Sequence, residues 1–260
     1  IMTVLSSGFR NPNIDDIGKI RENNGILVVP NTFLKAEYAY NLDLGINYKS
    51  LNQLTYVSFR TFATVISRHI VRDDFIIFSD TTTSDESTIL YNGEEVTTIA
   101  NKNLGNRFIH GFSIDGFSYF SKSLKFNGSI SYIKGDENET YGPMPSISPI
   151  FGTISGEYSK NKFKVSALYK FSGDKSPGDF SLGGEDGLEE TPEIIESNGL
   201  IKYAGTPKWS DFSIYTNYDI SQDVKVRFAL TNIFDNHYRS FASGISAPGR
   251  SFQIGLYLKL

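Results

Sequence analysis

The chain has 260 residues, with 25 Lys and Arg against 29 Asp and Glu, a formal net charge of −4, and no cysteine. That balance gives no sign of a nucleic-acid partner, and the absent thiols exclude a thiolate metal site, a cysteine nucleophile and disulfide staples. Aromatic residues form 14% of the chain, mostly Phe and Tyr, and no apolar run approaches the roughly 18 residues that a membrane helix requires.

The first residues, Ile1 to Gly8, read as a strand already under way. They lack the basic segment, apolar core and cleavage site of a signal peptide. Strand patterns then recur over Ala36–Lys49, Leu54–Ile70, Asn106–Phe120, Leu124–Ile133, Ile150–Tyr158, Lys162–Phe171, Phe212–Ile220, Val224–Leu230 with a continuation to Phe234, and Arg250–Leu260. The alternation is clearest in the last three quarters of the chain. Phe163, Val165, Val226, Phe228, Ile254 and Leu256 fall on one face, and Lys164, Lys225, Arg227 and Gln253 on the other. Charged side chains need water, so the second face should line a wet lumen while the first meets lipid. A negative mean hydropathy is no obstacle, because only every second residue would face lipid.

The connections alternate in length. Ser50–Gln53, Ser121–Ser123, Ser159–Asn161 and Ser221–Asp223 are tight polar turns. Between them lie the long segments Arg10–Lys35, Val71–Leu104, Lys134–Pro149, Ser172–Ser210 and Asp235–Gly249. Short turns on one rim and long loops on the other predict an all-β fold, an antiparallel transmembrane β-barrel. Aromatic girdles at the two interfaces would account for the Phe and Tyr content, with an ordinary β-sandwich core as the alternative. The acidic stretch Gly183–Glu196, which includes Glu185 and Asp186, reads as a solvated loop.

Three segments carry a family signature. Ser7-Gly8-Phe9-Arg10-Asn11-Pro12-Asn13 resembles a Phe-Arg-x-Pro box, and Asn31-Thr32-Phe33-Leu34-Lys35-Ala36-Glu37 resembles an Asn-Pro-x-Leu-x-x-Glu box with Thr32 in place of its first Pro. Thr231-Asn232-Ile233-Phe234-Asp235-Asn236-His237-Tyr238-Arg239, followed by Ala247-Pro248-Gly249-Arg250, is similar to the ending of the same family, the TonB-dependent outer-membrane receptors. The first two boxes look like those of Bacteroidetes-type receptors. The resemblance implies the C-terminal ten or so strands of a barrel of roughly 22, with the plug domain and the N-terminal strands absent from residues 1–260. It also implies a TonB complex acting through that missing plug, and integral residence in the bacterial outer membrane. The function it implies is uptake of a scarce nutrient, a ferric siderophore first and haem or cobalamin as alternatives, with no cofactor and no enzymatic activity.

Within that frame Arg10, Asn13, Asp15 and Asp16 are the candidate substrate or plug contacts, because both boxes bracket their loop. Arg10 could supply a bidentate fork to an anionic ligand or to the plug, or simply pack its own loop. No histidine lies between Arg10 and Asn31, where haem receptors of this family carry an iron ligand. No regular Ca²⁺ spacing accompanies Asp15 and Asp16. Two other functions remain open. One is a complete ten-stranded barrel protease using His69 with Asp73 and Asp74; the other is a passive porin.

Overall fold

A computed structural model describes residues 1–23, 25–77, 87–138, 142–181, 186–197 and 199–259. Glu185 and Leu260, which the sequence reading placed in the acidic loop and the last strand, lie outside them. One 13-stranded sheet dominates, and ten of its strands form a continuous path. They are β1 (Met2–Arg10), β2 (Glu37–Lys49), β3 (Thr55–Asp74), β4 (Glu94–Tyr119) and β5 (Leu124–Gly135). The second half comprises β6 (Phe151–Lys160), β7 (Phe163–Ser172), β8 (Trp209–Asp219), β9 (Val224–Thr231) and β10 (Ser251–Leu258). Each pairs antiparallel with its sequence neighbours, so the sheet is a meander. Among the described residues β1 and β10 do not pair with each other. Among the described residues no helix is long and apolar enough to cross a membrane, which says nothing of strands.

Directly opposed residues of antiparallel strands share a face, so the register assigns every side chain. Leu256 opposes Val226, Val226 opposes Tyr218, and Tyr218 opposes Phe163. Ile254, Phe228, Thr216 and Val165 form the next row on that face. Between them runs the opposite face, as Gly255, Arg227, Asn217 and Lys164. Gln253 continues that face through Ala229, Tyr215 and Ser166. Each of the two predicted residue sets therefore lies whole on its own face.

The apolar face is uncovered: Ile254, Leu256 and Leu258 remain 60–64% exposed. Such a face is stable only against lipid. The polar face satisfies itself by cross-strand pairs, Lys164–Glu157 at 2.8 Å, Lys225–Asp219 at 3.5 Å, and Arg227 to the Tyr257 hydroxyl at 3.0 Å.

Sequence and structure part company at the second long connection. The ladder of β3 and β4 does not stop at Ile70 and Asn106 but runs on to Asp74 opposite Ile99. Lipid no longer meets either face there, so the residues lose the long apolar alternation without losing cross-strand hydrogen bonds. Arg68, with φ of 58°, sits beside Gly105, with φ of 40°, and the rung between them is skipped. This paired interruption, one positive-φ residue on each strand with the register kept, marks where the hairpin leaves the wall and becomes a ribbon of its own. The segment Ile26–Val28 of the first loop then adds to β4 in parallel, and Thr88–Tyr91 pairs with it antiparallel. Leu27, Val29, Val96 and Ala100, packed by Phe75, Ile89 and Tyr91, give this ribbon a small hydrophobic core of its own.

Candidate functional site at the long-loop rim

The structure brings three of the four candidate residues together. Arg10 ends β1, and its guanidinium Nη2 donates to both Asp16 oxygens at 2.6 and 2.7 Å. Asn13 caps the short helix α1 (Ile14–Gly18): its Oδ1 accepts the Asp16 N–H, and the Asp16 carboxylate accepts the Asn13 N–H. This reciprocal capping box satisfies two free donors at a helix start. Asp16 thus holds the strand end and the helix end in one knot, while Asp15 stays exposed beside it. With the Arg10 side chain about half exposed, the pair contributes at most ~1 kcal/mol, so its effect is on loop shape more than on stability.

The second box fastens the far end of the same loop. Asn31 donates from Nδ2 to the Asn101 carbonyl at 2.8 Å and accepts the Phe33 N–H at 3.0 Å. Asn101 in turn donates to the Asp16 carbonyl at 3.1 Å, and Asn103 binds both the N–H and the carbonyl of Lys35. Glu37 accepts from the Ile70 N–H at 2.8 Å and sits 2.9 Å from His69 Nδ1. The loop between the boxes is therefore held against β4 at Asp16, Asn31 and Lys35, and Glu37 at the start of β2 is tied to β3. His69 is committed to Glu37, and Asp73 to Lys102 at 3.1 Å, so the His–Asp couple imagined for a protease does not form.

The C-terminal motif works in the same way. Asn232 is buried and binds the Asn236 N–H and carbonyl and the Pro248 carbonyl. Asp235 Oδ1 accepts the Arg250 N–H at 2.7 Å, and a Cβ on Gly249 would come within 2.9 Å of that oxygen. The amide and carboxylate thus close the loop that re-aims the chain from β9 into β10. Tyr238 stacks on Trp209 with ring centroids 4.2 Å apart and donates to Asp211 at 3.1 Å. Burial and the Asp211 carboxylate push the Tyr238 phenol up to about 12.

Sequence reasoning missed the strongest tie. Asp186, placed in a solvated acidic loop, is instead buried with Lys175 at 3.0 Å, the two side chains 2% and 5% exposed. The correction has a geometric cause. Three long loops converge there, and Asp186 also accepts the N–H groups of Ser146 and Ser181. Lys175 Nζ donates to the Ile147 carbonyl at 2.7 Å and lies 4.1 Å from the Phe241 ring centroid. Gly205 has φ of +76°, and any Cβ there would be 2.2 Å from the Lys175 carbonyl, so only glycine permits the Lys175–Thr206 bridge. Of its other described acids, Glu189, Glu190 and Glu193 are exposed and Glu196 pairs with Lys202. Arg107, also buried, binds Asp136 at 2.7 Å and the Gly142 carbonyl at 3.0 Å. Beside these ties lies a cavity of about 450 Å³ between the loops before β8 and before β10, lined by Glu190, Thr191, Thr206, Tyr238, Arg239 and Ser243 among others. Among the described residues no cluster of His, Cys, Asp and Glu could hold a metal ion.

These features agree with what the chain resembles. The sequence profile described as TonB dependent receptor-like, beta-barrel, matches residues 4–233. No curated protein sequence matches the chain. Among solved structures it is similar to the siderophore receptor PirA of Acinetobacter baumannii, at 20% identity over 98% of this chain and 38% of that one, with a TM-score of 0.71. It is likewise similar to the copper transporter OprC (16% identity, 98% and 37% coverage, TM-score 0.70). A mutant of the ferric enterobactin receptor PfeA of Pseudomonas aeruginosa gives 15% identity, 98% and 37% coverage, and a TM-score of 0.69. The chain thus spans little more than a third of the length of these structures, and at such identities they share its fold alone. The matched family consists of transporters, not enzymes, which removes the protease alternative. Motifs, register and profile converge: the chain belongs to the TonB-dependent receptor β-barrel family and is an integral protein of the outer membrane.

Proposed function

We propose that this chain is the C-terminal ten-stranded part of a larger barrel, closed by strands outside residues 1–260 around a plug, and that the whole receptor imports a ferric siderophore by TonB-dependent transport. The observation that carries the reading is the long-loop rim. Its loops are tied by buried ion pairs and asparagine networks into an ordered mouth above a polar wall, which suits selective capture rather than passive flow. The choice of cargo leans on the neighbours, one described as a siderophore receptor and another as a mutant receptor in complex with enterobactin. Haem is disfavoured because no histidine lies in the loop from Arg10 to Asn31. The deciding experiment supplies cells carrying the full receptor with labelled iron as ferric enterobactin, with haem, and with cobalamin. Ferric siderophore should accumulate and should cease to do so when the proton gradient is collapsed. Accumulation of haem or cobalamin in its place would refute the cargo.

The same reading assigns Arg10, Asn13, Asp15 and Asp16 to the surface that meets plug or ligand. The Arg10–Asp16 knot fixes the loop, and the exposed half of the guanidinium and the Asp15 carboxylate are left for the partner. Arg10→Ala should lower uptake about tenfold at equal surface abundance, the loss of one charge-assisted contact. Arg10→Lys should restore only part of it, since lysine lacks the planar fork. Uptake and binding equal to wild type in Arg10→Ala would remove Arg10 from that surface.

A further inference from the structure

On the lipid-facing side, β7 and β8 end at the long-loop rim in a contiguous aromatic patch. Tyr169 stacks on Phe171, and Phe212, directly opposite Tyr169, stacks on Phe234, both pairs at 6.0 Å between ring centroids. Deeper on the same face lie Ala167 and Ile214, then Val165 and Thr216. On the other side of the rings, toward the loops, stand the exposed side chains of Lys208 and His237. An open groove of about 730 Å³ joins these levels, walled by Tyr169, Phe171 and Ser210 below and by Lys208, Asn236 and His237 above.

The upper wall is held in place. Asn236 Nδ2 donates to the Ser210 carbonyl at 2.9 Å, which anchors the His237 segment over the groove. His237 Nε2 lies 3.1 Å from Ser246 Oγ, and Arg239 Nε donates to that same oxygen. Among the described residues neither Lys208 nor Arg239 has a carboxylate within ion-pair distance, although most lysines of the neighbouring strands are paired. Lys208 therefore brings to the groove a positive charge that no described carboxylate compensates.

Aliphatic side chains, then rings, then unpaired cations is the order of a membrane–water interface, with rings at headgroup depth and cations at the phosphates. Tyr169 and Phe171 bring the lipid-facing side into the groove's lining beside Lys208, which suits an anion that carries apolar chains better than a fully soluble one. We propose that it binds the phosphorylated saccharide headgroup of an outer-leaflet lipid. Lys208 meets the phosphate, Asn236 and His237 contact sugar or phosphate oxygens, and acyl chains lie along Tyr169, Phe171 and Phe212. The inference rests on the outer-membrane placement and not on the cargo, so a wrong siderophore assignment would leave it standing.

The test uses the full receptor reconstituted in nanodiscs, with bisphosphorylated lipid A and chemically dephosphorylated lipid A as probes and native mass spectrometry as the readout. Wild type should retain the phosphorylated lipid about tenfold better than the dephosphorylated one, and Lys208→Glu should lose that preference. Lys208→Arg should keep it. Equal retention of the two lipids by wild type, or an unchanged preference in a folded Lys208→Glu receptor, would overturn the proposal. So would displacement of the lipid by millimolar inorganic phosphate, which would mark a site for soluble anions. Should Lys208→Glu fail to assemble, the wild-type comparison of the two lipids decides by itself.

Discussion

Replacing Asp186 with alanine should release two of the long loops at once, the one between β5 and β6 and the one between β7 and β8. The carboxylate is the common acceptor for Lys175 and for the N–H groups of Ser146 and Ser181, so its loss strands an ammonium and two amides in a buried site. Removing one member of a buried pair typically costs about 3–5 kcal/mol, because the partner's desolvation is no longer offset. Amide exchange at Ser146 and Ser181 should quicken by orders of magnitude, and protease should cut the loop between β7 and β8 in intact cells. The barrel strands should remain protected, because their ladders do not pass through this site. Exchanging both partners, Lys175→Met with Asp186→Leu, should recover only part of the lost order, since it removes the unpaired charge but leaves the Ser146 and Ser181 amides without their acceptor. Loop protection unchanged in Asp186→Ala would show that the ion pair is not what holds the rim.

The second large effect belongs to the lipid-facing wall. Ile254 sits in the middle of β10, opposite Phe228, on the uncovered apolar face. An arginine near the bilayer midplane on that face should cost about 2–4 kcal/mol. Gln253, one residue earlier, faces the polar side, and Gln253→Arg should be near neutral because its head meets water. Unfolding of the full receptor in lipid vesicles, followed by loss of heat-modifiable mobility, separates the two. Equal destabilisation by Ile254→Arg and Gln253→Arg would mean that the faces are not distinguished by lipid and water as the register requires.

The barrel wall was legible because the bilayer imposes a period of two on every crossing strand. Phe163 to Phe171 and Val224 to Leu230 alternate for no other reason, and a slip of one residue would place Lys164 or Arg227 in lipid. That constraint ends where the strands leave the membrane. Above Arg68 and Gly105 neither face of the β3–β4 hairpin meets lipid, so residues such as Arg72, Asp73, Asn101 and Asn103 read as loop while their backbones still pair. The candidate site was legible in part. The boxes pointed to Arg10, Asn13 and Asp16, and these do meet. Lys175 and Asp186 lie in a Gly-, Pro- and acid-rich stretch, where each looks like any solvated charge. Only the convergence of three loops gives them a reason to be buried together, and no local pattern encodes that convergence.

The length of that hairpin has a consequence for how the cell presents this protein. Crossing the hydrocarbon core takes only about 9–11 residues of strand, but β3 has 20 and β4 has 26. At about 3.3 Å per residue the surplus of β3 alone is on the order of 30 Å. The parallel addition of Ile26–Val28 and the small core around Leu27 and Val96 stiffen that surplus into a mast, not a tether. Whatever approaches from outside, whether nutrient, antibody or phage tail fibre, meets the mast before it meets the bilayer. The segment that the two N-terminal boxes clamp rides on that mast through Ile26–Val28 and is held away from the bilayer with it.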